Sequence, residues 1–217
     1  MKFVIGDIHG CVDKLHSVIV NADINLLSDT VIFLGDYIDR GPKSNEVISF
    51  LIELKNLNKN HIFLMGNHEI MFLSYIHEYI WENFYFQNGG LKTLESYGFK
   101  IDSKGIVQEQ ADIPMEHIDF IKSLKFWHED DSYIYTHAGL DPDLSLDKQD
   151  WDDNIWIRDK WINSDVNFGK RVIFGHTIFS EPYIDNFKIG IDTGSFLENG
   201  KITALCLDNM KFYTSGE

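Results

Sequence analysis

The stretch VIFLGDYIDRGP, residues 31–42, joins a short apolar run to a cluster of charged side chains. A continuous apolar run of this length, closed by Gly35, is typical of a strand that is buried on both faces of a sheet. Asp36, Asp39 and Arg40 follow directly. A simple turn would need a glycine and at most one aspartate. We therefore interpret the two aspartates and the arginine as functional groups at the end of a buried strand.

Strand-like and helical segments alternate around this stretch. The runs KFVIG (2–6) and HIFLMG (61–66) predict strands, and segments 11–22 and 44–56 have helical spacing, with Ser44 as the N-cap of the second helix. Strand–helix–strand–helix–strand order predicts parallel crossovers in a sheet that is covered on both faces. From residue 126 onward, short β-type runs divided by glycine and polar residues predict a second sheet with antiparallel pieces.

These elements predict an α/β fold (α+β in some schemes), a four-layer α/β/β/α sandwich of two mixed sheets with helices outside them. The chain has 217 residues, a length that suits a single domain spanning 1–217. The segment at about 79–125 is predicted to be a mostly helical insertion, because it consists of short helical patterns and turn signals.

Composition narrows the classes of function. The formal net charge is −15, which argues against a nucleic-acid partner, since binding to nucleic acid depends on basic side chains. No apolar run approaches the ~18 residues that a membrane span requires, so no membrane partner is expected. The first residues resemble a strand and not a signal peptide, which predicts a cytoplasmic protein. An anionic substrate would need positive charge from bound metal ions.

Side chains that commonly bind metals follow five predicted strands, where each strand ends. Since ligand sites form beyond the carboxyl ends of strands, we expect these side chains to converge. The predicted ligands are Asp7, His9, Asp36, Asn67, His137 and His176. A buried cluster of this kind is too costly without bound cations. Six mixed oxygen and nitrogen ligands suit two divalent ions roughly 3.5–4 Å apart that share one carboxylate.

Five motifs give the chain a family resemblance. GDIHG, GDYIDRG, GNHE, THAG and FGHT occur in this order, and together they resemble the PPP phosphoprotein phosphatases, within the calcineurin-like metallophosphoesterases. The resemblance extends from residue 3 to about residue 206 and is strongest to the compact bacterial and phage members. It implies the calcineurin-like metallophosphoesterase fold and a dinuclear metal centre, for which manganese is expected first and iron, zinc or nickel are the alternatives.

The resemblance also implies a role for each motif residue. One metal would be held by Asp7, His9 and Asp36, and the second by Asp36, Asn67, His137 and His176. His68 matches the general acid and Asp39 the carboxylate that orients it, although Asp39 could instead be a simple turn residue.

Phosphate binding is expected at Arg40 and at Asn67. A second phosphate-binding arginine is expected between the last two histidine motifs, and we assign it to Arg158 because of its tryptophan-rich setting. Arg171 opens a predicted strand and is expected at the far end from the site. Glu69 is interpreted as a favourable acid in a helix's first turn, and Asp192 as a supporting residue.

The activity that these residues predict is metal-dependent hydrolysis of phosphomonoesters, with in-line attack by a metal-bridging hydroxide. A serine/threonine protein phosphatase, with some action on phosphotyrosine, is expected. Its partners would be phosphorylated proteins or peptides and small phosphoesters, and the oligomeric state is open.

Two alternatives remain. The first is a bis(5'-nucleosyl)-tetraphosphatase, which acts on diadenosine tetraphosphate and belongs to the same superfamily; its members often lack the aspartate found here as Asp39. The second is a non-catalytic scaffold domain.

Overall fold

The computed structural model describes residues 1–78 and 82–216. The helices are α1 (Val12–Asn21), α2 (Ser44–Leu57), α3 (Asn67–Glu78), α4 (Glu82–Gln87), α5 (Gly90–Ser96), α6 (Met115–Lys122) and α7 (Asp159–Ile162). The strands are β1 (Lys2–Ile5), β2 (Thr30–Phe33), β3 (Ile62–Phe63), β4 (Lys100–Ile101), β5 (Val107–Glu109), β6 (Trp127–Glu129), β7 (Tyr133–Thr136), β8 (Arg171–Phe174), β9 (Tyr183–Ile184), β10 (Lys188–Gly190), β11 (Asp192–Thr193), β12 (Lys201–Cys206) and β13 (Lys211–Thr214). Short 3₁₀ turns lie at Leu146–Lys148 and Asp153–Ile155.

All the strands except the β4–β5 hairpin belong to two mixed sheets. In the first sheet, β1, β2 and β3 are parallel neighbours, and β12 runs antiparallel to β1 and also pairs with β11 and β13. The second sheet has the order β6-β7-β8-β10-β9, in which β7, β8 and β10 are parallel and both edge strands are antiparallel. The predicted α/β architecture with two mixed sheets is confirmed.

The alternation of side chains along β1 shows how the layers are built. Phe3 and Ile5 pack on the face that α1 and α2 cover, whereas Val4 points into the space between the sheets. The core between the sheets consists of Val4, Ile32, Leu34, Leu64, Tyr135, Ile173, Ile189, Ile191 and Leu205. Both sheets are thus buried on their facing sides, which explains the continuous apolar runs in the sequence.

The outer face of the second sheet is covered by shorter helices than the outer face of the first sheet. Trp161 of α7 is fully buried there and packs with Ile134, Val172 and Phe174. Helix α7 has four residues, and the 3₁₀ turns supply the rest of this layer. The fourth layer of the sandwich therefore consists of short helical pieces.

The segment between α3 and β6 contains α4, α5, the β4–β5 hairpin and α6. Residues 79–81, where the predicted helical insertion begins, lie outside the described part of the chain, and the single-domain interpretation stays a prediction. In residues 1–78 and 82–216, no helix is both long and apolar enough to cross a bilayer.

The prediction that Ser44 caps α2 is wrong. Lys43 is the capping residue and makes no side-chain cap bond, while Ser44 is the first helical residue. The hydroxyl of Ser44 instead accepts a hydrogen bond from the backbone N–H of Asp39 at 3.1 Å. The serine therefore supports the loop that follows β2.

Candidate active site

The polar residues that follow the parallel strands meet at one edge of the two sheets. Because β1, β2 and β3 are parallel neighbours, the loops beyond their carboxyl ends lie side by side. Strands β7 and β8 are parallel as well, and the loops after them carry the last two histidines. The side chains at this edge are Asp7, His9, Asp36, Asn67, His68, His137 and His176, each at most 4% exposed.

Several residues of these loops adopt the left-handed backbone conformation. The φ angle is 47° at His9, 50° at Asp36, 69° at Asp39, 67° at Arg40 and 62° at His176. This conformation costs a non-glycine residue roughly 1–2 kcal/mol, and such residues cluster at functional sites. Cross-loop hydrogen bonds offset the cost, as the N–H of His9 donates to the carbonyl of Asp36 at 2.8 Å. The loops are held in conformations that their sequences alone would not favour.

Two glycines allow the backbone to approach the carboxylates closely. A β-carbon at Gly66 would lie 2.1 Å from Oδ1 of Asp36, and one at Gly175 would lie 2.0 Å from Oδ1 of Asp7. Any larger residue at either position would displace a carboxylate of the cluster.

Asp36 occupies the centre of the cluster. Its Oδ2 atom lies 3.5 Å from Nε2 of His9 and 3.9 Å from Nε2 of His68, and its Oδ1 atom lies 3.3 Å from Nε2 of His137. One carboxylate therefore faces imidazoles from three different loops, the arrangement expected of a shared ligand.

The second part of the cluster contains Asn67, His137 and His176. Oδ1 of Asn67 lies 3.1 Å from Nε2 of His137, and the rings of His137 and His176 have centroids 5.0 Å apart. Nε2 of His176 is buried and makes no hydrogen bond. An unpaired buried nitrogen is costly, and a bond to a metal ion would remove that cost.

Asp7 lies at the same edge but faces the backbone. Its carboxylate accepts hydrogen bonds from the N–H of His176 at 3.0 and 3.2 Å. Burial raises the pKa of Asp7 well above its usual value, and the neighbouring Asp192 adds to this rise. Burial likewise raises the pKa of Asp192 to about 6, although its Oδ1 accepts a bond from the N–H of Gly194.

The donor atoms of the cluster fit divalent cations. Ligand atoms of His9, Asp36 and His68 lie within 4.8 Å of one another, as do those of Asp36, His137 and His176. Asp36 belongs to both groups, Asp7 belongs to neither, and Oδ1 of Asn67 lies 3.1 Å from the His137 nitrogen of the second group. Burial lowers the pKa of His9 to about 3 and that of His176 well below its usual value. Both rings therefore have the neutral form that binds metals.

The excess negative charge of the cluster also indicates a site for cations. Burial opposes protonation of His137, but the carboxylates of Asp36, Asp7 and Glu69 outweigh it and raise the pKa of His137 to about 9. A proton on His137 thus offsets part of the excess negative charge. A bound cation would replace that proton, because metal ligands bind in their deprotonated form.

Next to the cluster, His68 and Asp39 form a buried pair. Nδ1 of His68 lies 2.7 Å from Oδ2 of Asp39, and Asp39 has no exposed surface. Burial opposes the charged imidazole, but the carboxylates of Asp36 and Asp39 outweigh it and raise the pKa of His68. The pair has the geometry of a general acid that is oriented by a carboxylate.

Arg40 extends from the same loop over this pair. Its Nη2 atom lies 3.5 Å from Nε2 of His68, and its guanidinium carbon lies 4.4 Å from the ring centre of Phe196. The Phe196 ring also contacts the ring of His9 edge-on at 5.1 Å. Phe196 therefore fixes the arginine against the cluster through a cation–π contact, a role that the sequence did not predict.

The other two arginines lie apart from Arg40. Nη1 of Arg158 donates to the carbonyl oxygen of His176 at 2.9 Å, which places this exposed side chain at the rim of the cluster. Arg171 is the first residue of β8, and its Nη2 atom donates to the carbonyl of Asp185. Since His176 follows the opposite end of β8, Arg171 lies at the far end of the strand.

Comparison with known proteins identifies the family. Residues 3–180 match the family model of calcineurin-like phosphoesterases. The chain is a calcineurin-like phosphoesterase. The family resemblance that the five motifs predicted is confirmed, and the protein is a metallophosphoesterase and thus a hydrolase.

This phosphoesterase is similar to relatives with two different names. It is 30% identical to serine/threonine-protein phosphatase 2 of Salmonella typhimurium, over 97% of this chain and 91% of that protein. It is 26% identical to the asymmetrical bis(5'-nucleosyl)-tetraphosphatase PrpE of Oceanobacillus iheyensis, over 96% of this chain and 89% of the relative. A crystal structure provisionally described as a diadenosine tetraphosphatase superimposes with a TM-score of 0.74 at 19% identity, covering 98% of this chain and 91% of that one. That last likeness supports the fold alone.

The phosphoesterase site also contains buried residues that the sequence analysis excluded or missed. Glu69, interpreted above as a helix first-turn acid, accepts hydrogen bonds from the N–H groups of Asp36 and Gly66 at 2.9 and 3.0 Å. Its position within GNHE, beside two predicted site residues, was a usable signal. Tyr85 and Thr93 contact Asp39 but come from distant helices, and the sequence carries no signal for this.

Proposed function

We propose that this phosphoesterase hydrolyses phosphomonoesters, with phosphoserine and phosphothreonine in proteins or peptides as its main substrates. The observation that carries the proposal is the buried His68–Asp39 pair, in which Nε2 of His68 lies 3.9 Å from Oδ2 of Asp36 at the centre of the cluster. A serine or threonine alkoxide is a poor leaving group, so its departure gains most from a positioned proton donor. A nucleotide leaves polyphosphate as a much weaker base and gains less.

The cluster is proposed to hold two divalent cations through Asp7, His9, Asp36, Asn67, His137 and His176, with Asp36 shared. When bound, they would acidify a water molecule to serve as nucleophile and neutralise the phosphoryl oxygens. The mixed oxygen and nitrogen donors suit borderline and hard metals. Manganese is our first choice, with iron, zinc and nickel as alternatives. A cytoplasmic location is part of the proposal.

The remaining side chains have separate tasks. His68 would donate a proton from Nε2 to the leaving oxygen, while Asp39 keeps Nδ1 protonated and the ring oriented. Arg40 and Arg158 would bind phosphoryl oxygens, since a guanidinium offers paired donors in one plane. Asn67 would contribute an amide to the same oxygens.

A dinucleoside tetraphosphate is the second candidate substrate. The relative named bis(5'-nucleosyl)-tetraphosphatase, which aligns with 96% of this chain, favours this substrate. A tetraphosphate chain carries several negative charges beyond the reacting phosphoryl group. Yet Lys14 is bound to loop carbonyls, and Lys43 and Lys160 pair with aspartates. These lysines flank the site in sequence but are already engaged, which supports the monoester.

Rates on a phosphoserine peptide and on diadenosine tetraphosphate, measured with Mn²⁺, Mg²⁺, Zn²⁺ and Fe²⁺, test the proposal. We expect a higher kcat/KM on the peptide, and no activity in Asp36→Asn. A preference for the dinucleotide would establish the second candidate. Fewer than about one bound ion per chain, together with no hydrolysis of p-nitrophenyl phosphate in Mn²⁺, would instead indicate a non-catalytic scaffold.

A further inference from the structure

Helices α4 and α5 reach the catalytic pair from outside the motif loops. Oδ1 of Asp39 accepts hydrogen bonds from the hydroxyl of Tyr85 on α4, at 3.0 Å, and from the hydroxyl of Thr93 on α5, at 2.6 Å. The turn between the two helices also holds the adjacent residue, because the N–H of Arg40 donates to the carbonyl of Gly89 at 3.2 Å. The segment thus contacts both the proposed acid pair and the proposed phosphate-binding arginine.

These contacts satisfy a carboxylate that water does not reach. Asp39, Tyr85 and Thr93 have no exposed surface. One carboxylate oxygen of Asp39 is used by His68, so the other needs donors from the protein. Two hydroxyl donors on Oδ1 fix the plane of the carboxylate and thereby direct Oδ2 towards Nδ1 of His68.

We propose that Tyr85 and Thr93 are positioning residues for general-acid catalysis, which act by orienting Asp39 and, through it, the imidazole of His68. The proposal rests on the proposed role of the His68–Asp39 pair. It adds that α4 and α5, which lie outside the five motifs, set the orientation of the proton donor.

A purely structural role for Tyr85 is the competing explanation. Its ring lies 5.3 Å from that of Tyr75 and 6.3 Å from that of Phe72, and a β-carbon at Gly90 would come within 2.4 Å of it. Tyr85→Phe keeps this packing and removes only the hydroxyl. Burial and the carboxylate of Asp39 raise the pKa of the phenol well above its usual value, so it remains a donor at neutral pH.

The test compares substrates whose leaving groups differ in basicity. For Tyr85→Phe and Thr93→Val, we expect kcat on a phosphoserine peptide to fall about tenfold, the loss typical of one hydrogen bond to a charged group. On p-nitrophenyl phosphate, whose leaving group needs little protonation, kcat should fall less than about threefold. The KM values and bound metal should stay constant, and Thr93→Ser should recover most of the rate that Thr93→Val loses.

Tyr97→Phe is the matched control. The hydroxyl of Tyr97 contacts Nδ1 of His117 at 2.8 Å and does not contact Asp39. This variant also removes one buried tyrosine hydroxyl, so it should leave the ratio of the two rates unchanged.

A double-mutant cycle separates this proposal from the proposed function. In a His68→Asn background, Tyr85→Phe should have no further effect on the peptide, because it acts through His68. An undiminished effect there, or equal losses on both substrates, would overturn the positioning role. If His68→Asn itself costs nothing on the peptide, the assignment of the acid fails instead. Should Tyr85→Phe not fold, the Thr93 variants decide by the same criteria.

Discussion

Nη2 of Arg40 lies 3.5 Å from Nε2 of His68, so a permanently charged donor and a titrating donor face the same small volume. A guanidinium can hold phosphoryl oxygens but cannot release a proton. The imidazole can do both. The two side chains therefore divide the work: the arginine binds charge and the histidine transfers a proton to the leaving oxygen.

This division predicts that His68→Asn will respond strongly to the leaving group. We expect kcat on a phosphoserine peptide to fall by about 10²–10⁴-fold, the usual contribution of general-acid catalysis. On p-nitrophenyl phosphate the loss should be much smaller. Steady-state kinetics on both substrates and metal analysis of the purified variant check this prediction. Equal losses on the two substrates, with metal retained, would contradict the assignment of His68 as the acid.

Metal binding should stabilise the fold through the buried nitrogen of His176. A ligand that binds only the native state adds about 2.7 kcal/mol at a concentration 100 times its Kd. For a chain of this size, that corresponds to a rise in Tm of about 5–10 °C. We expect Mn²⁺ to raise the Tm of the wild type by this amount and that of His176→Ala by much less.

Exposed His16 provides the control for the metal experiment. His16→Ala should respond to Mn²⁺ like the wild type, and metal analysis should find two ions per chain in both. An identical rise in Tm for His176→Ala would show that the orphaned nitrogen is not a ligand.

The parts of the site that were predictable from sequence are those at the ends of apolar runs. Asp7 and Asp36 each follow a strand within a few residues, and β1 and β2 are parallel neighbours, so strand order alone brings these two residues to one edge. His137 follows β7 of the second sheet in the same way. Local pattern carries this information because a parallel sheet aligns the carboxyl ends of its strands. The same reasoning identified both sheets and the crossover helices.

The partners of these residues depend on packing, which the sequence pattern does not encode. Tyr85 and Thr93 lie 46 and 54 positions from Asp39 and carry only helical spacing. The sequence predicted Asp7 as a metal ligand, but it did not predict the hydrogen bonds that both oxygens of Asp7 accept from the backbone N–H of His176. The orientations of these side chains depend on how separate layers pack, and the sequence pattern does not predict them.

Lys188 should be important for stability although it lies far from the chemistry. It is 1% exposed, and its ammonium group donates to the carbonyls of Trp161, Ile162 and Ser164 at 3.1, 2.8 and 2.5 Å. Lys188→Met would remove this shared donor from the end of α7, where, in the part of the chain that the structure describes, only the carbonyl of Trp161 accepts further bonds, from the hydroxyl and N–H of Ser164. We expect a loss of about 3 kcal/mol in the free energy of unfolding, measured in urea. The exposed Lys201→Met should cost less than about 0.5 kcal/mol, and a similar cost for both would refute this role.

Asp130 lies at the end of the sheets opposite the cluster. We expect it to make the free energy of unfolding depend on pH. Its carboxylate accepts bonds from Nζ of Lys2 and the hydroxyl of Tyr135, both at 2.7 Å, and from the N–H groups of Ser132 and Tyr133. Partial burial alone would raise the pKa of Asp130, but these donors outweigh it and lower the pKa from 3.8. A lowered pKa means that the stabilisation is fully present above pH 3.8 and is lost as the pH falls through the lower, folded-state value.

Asp130→Asn should therefore destabilise the protein at pH 7 by about 1 kcal/mol, a figure that allows for solvent screening of a partly exposed ion pair. The difference from the wild type should shrink as the pH falls below 3.8. Urea unfolding followed by circular dichroism at pH 7, 5 and 3 measures it. The control is Asp131→Asn, at an exposed neighbouring position. This variant changes the net charge by the same amount, and its difference from the wild type should not vary between pH 7 and pH 3. A difference between Asp130→Asn and the wild type that grows on acidification would contradict the lowered pKa.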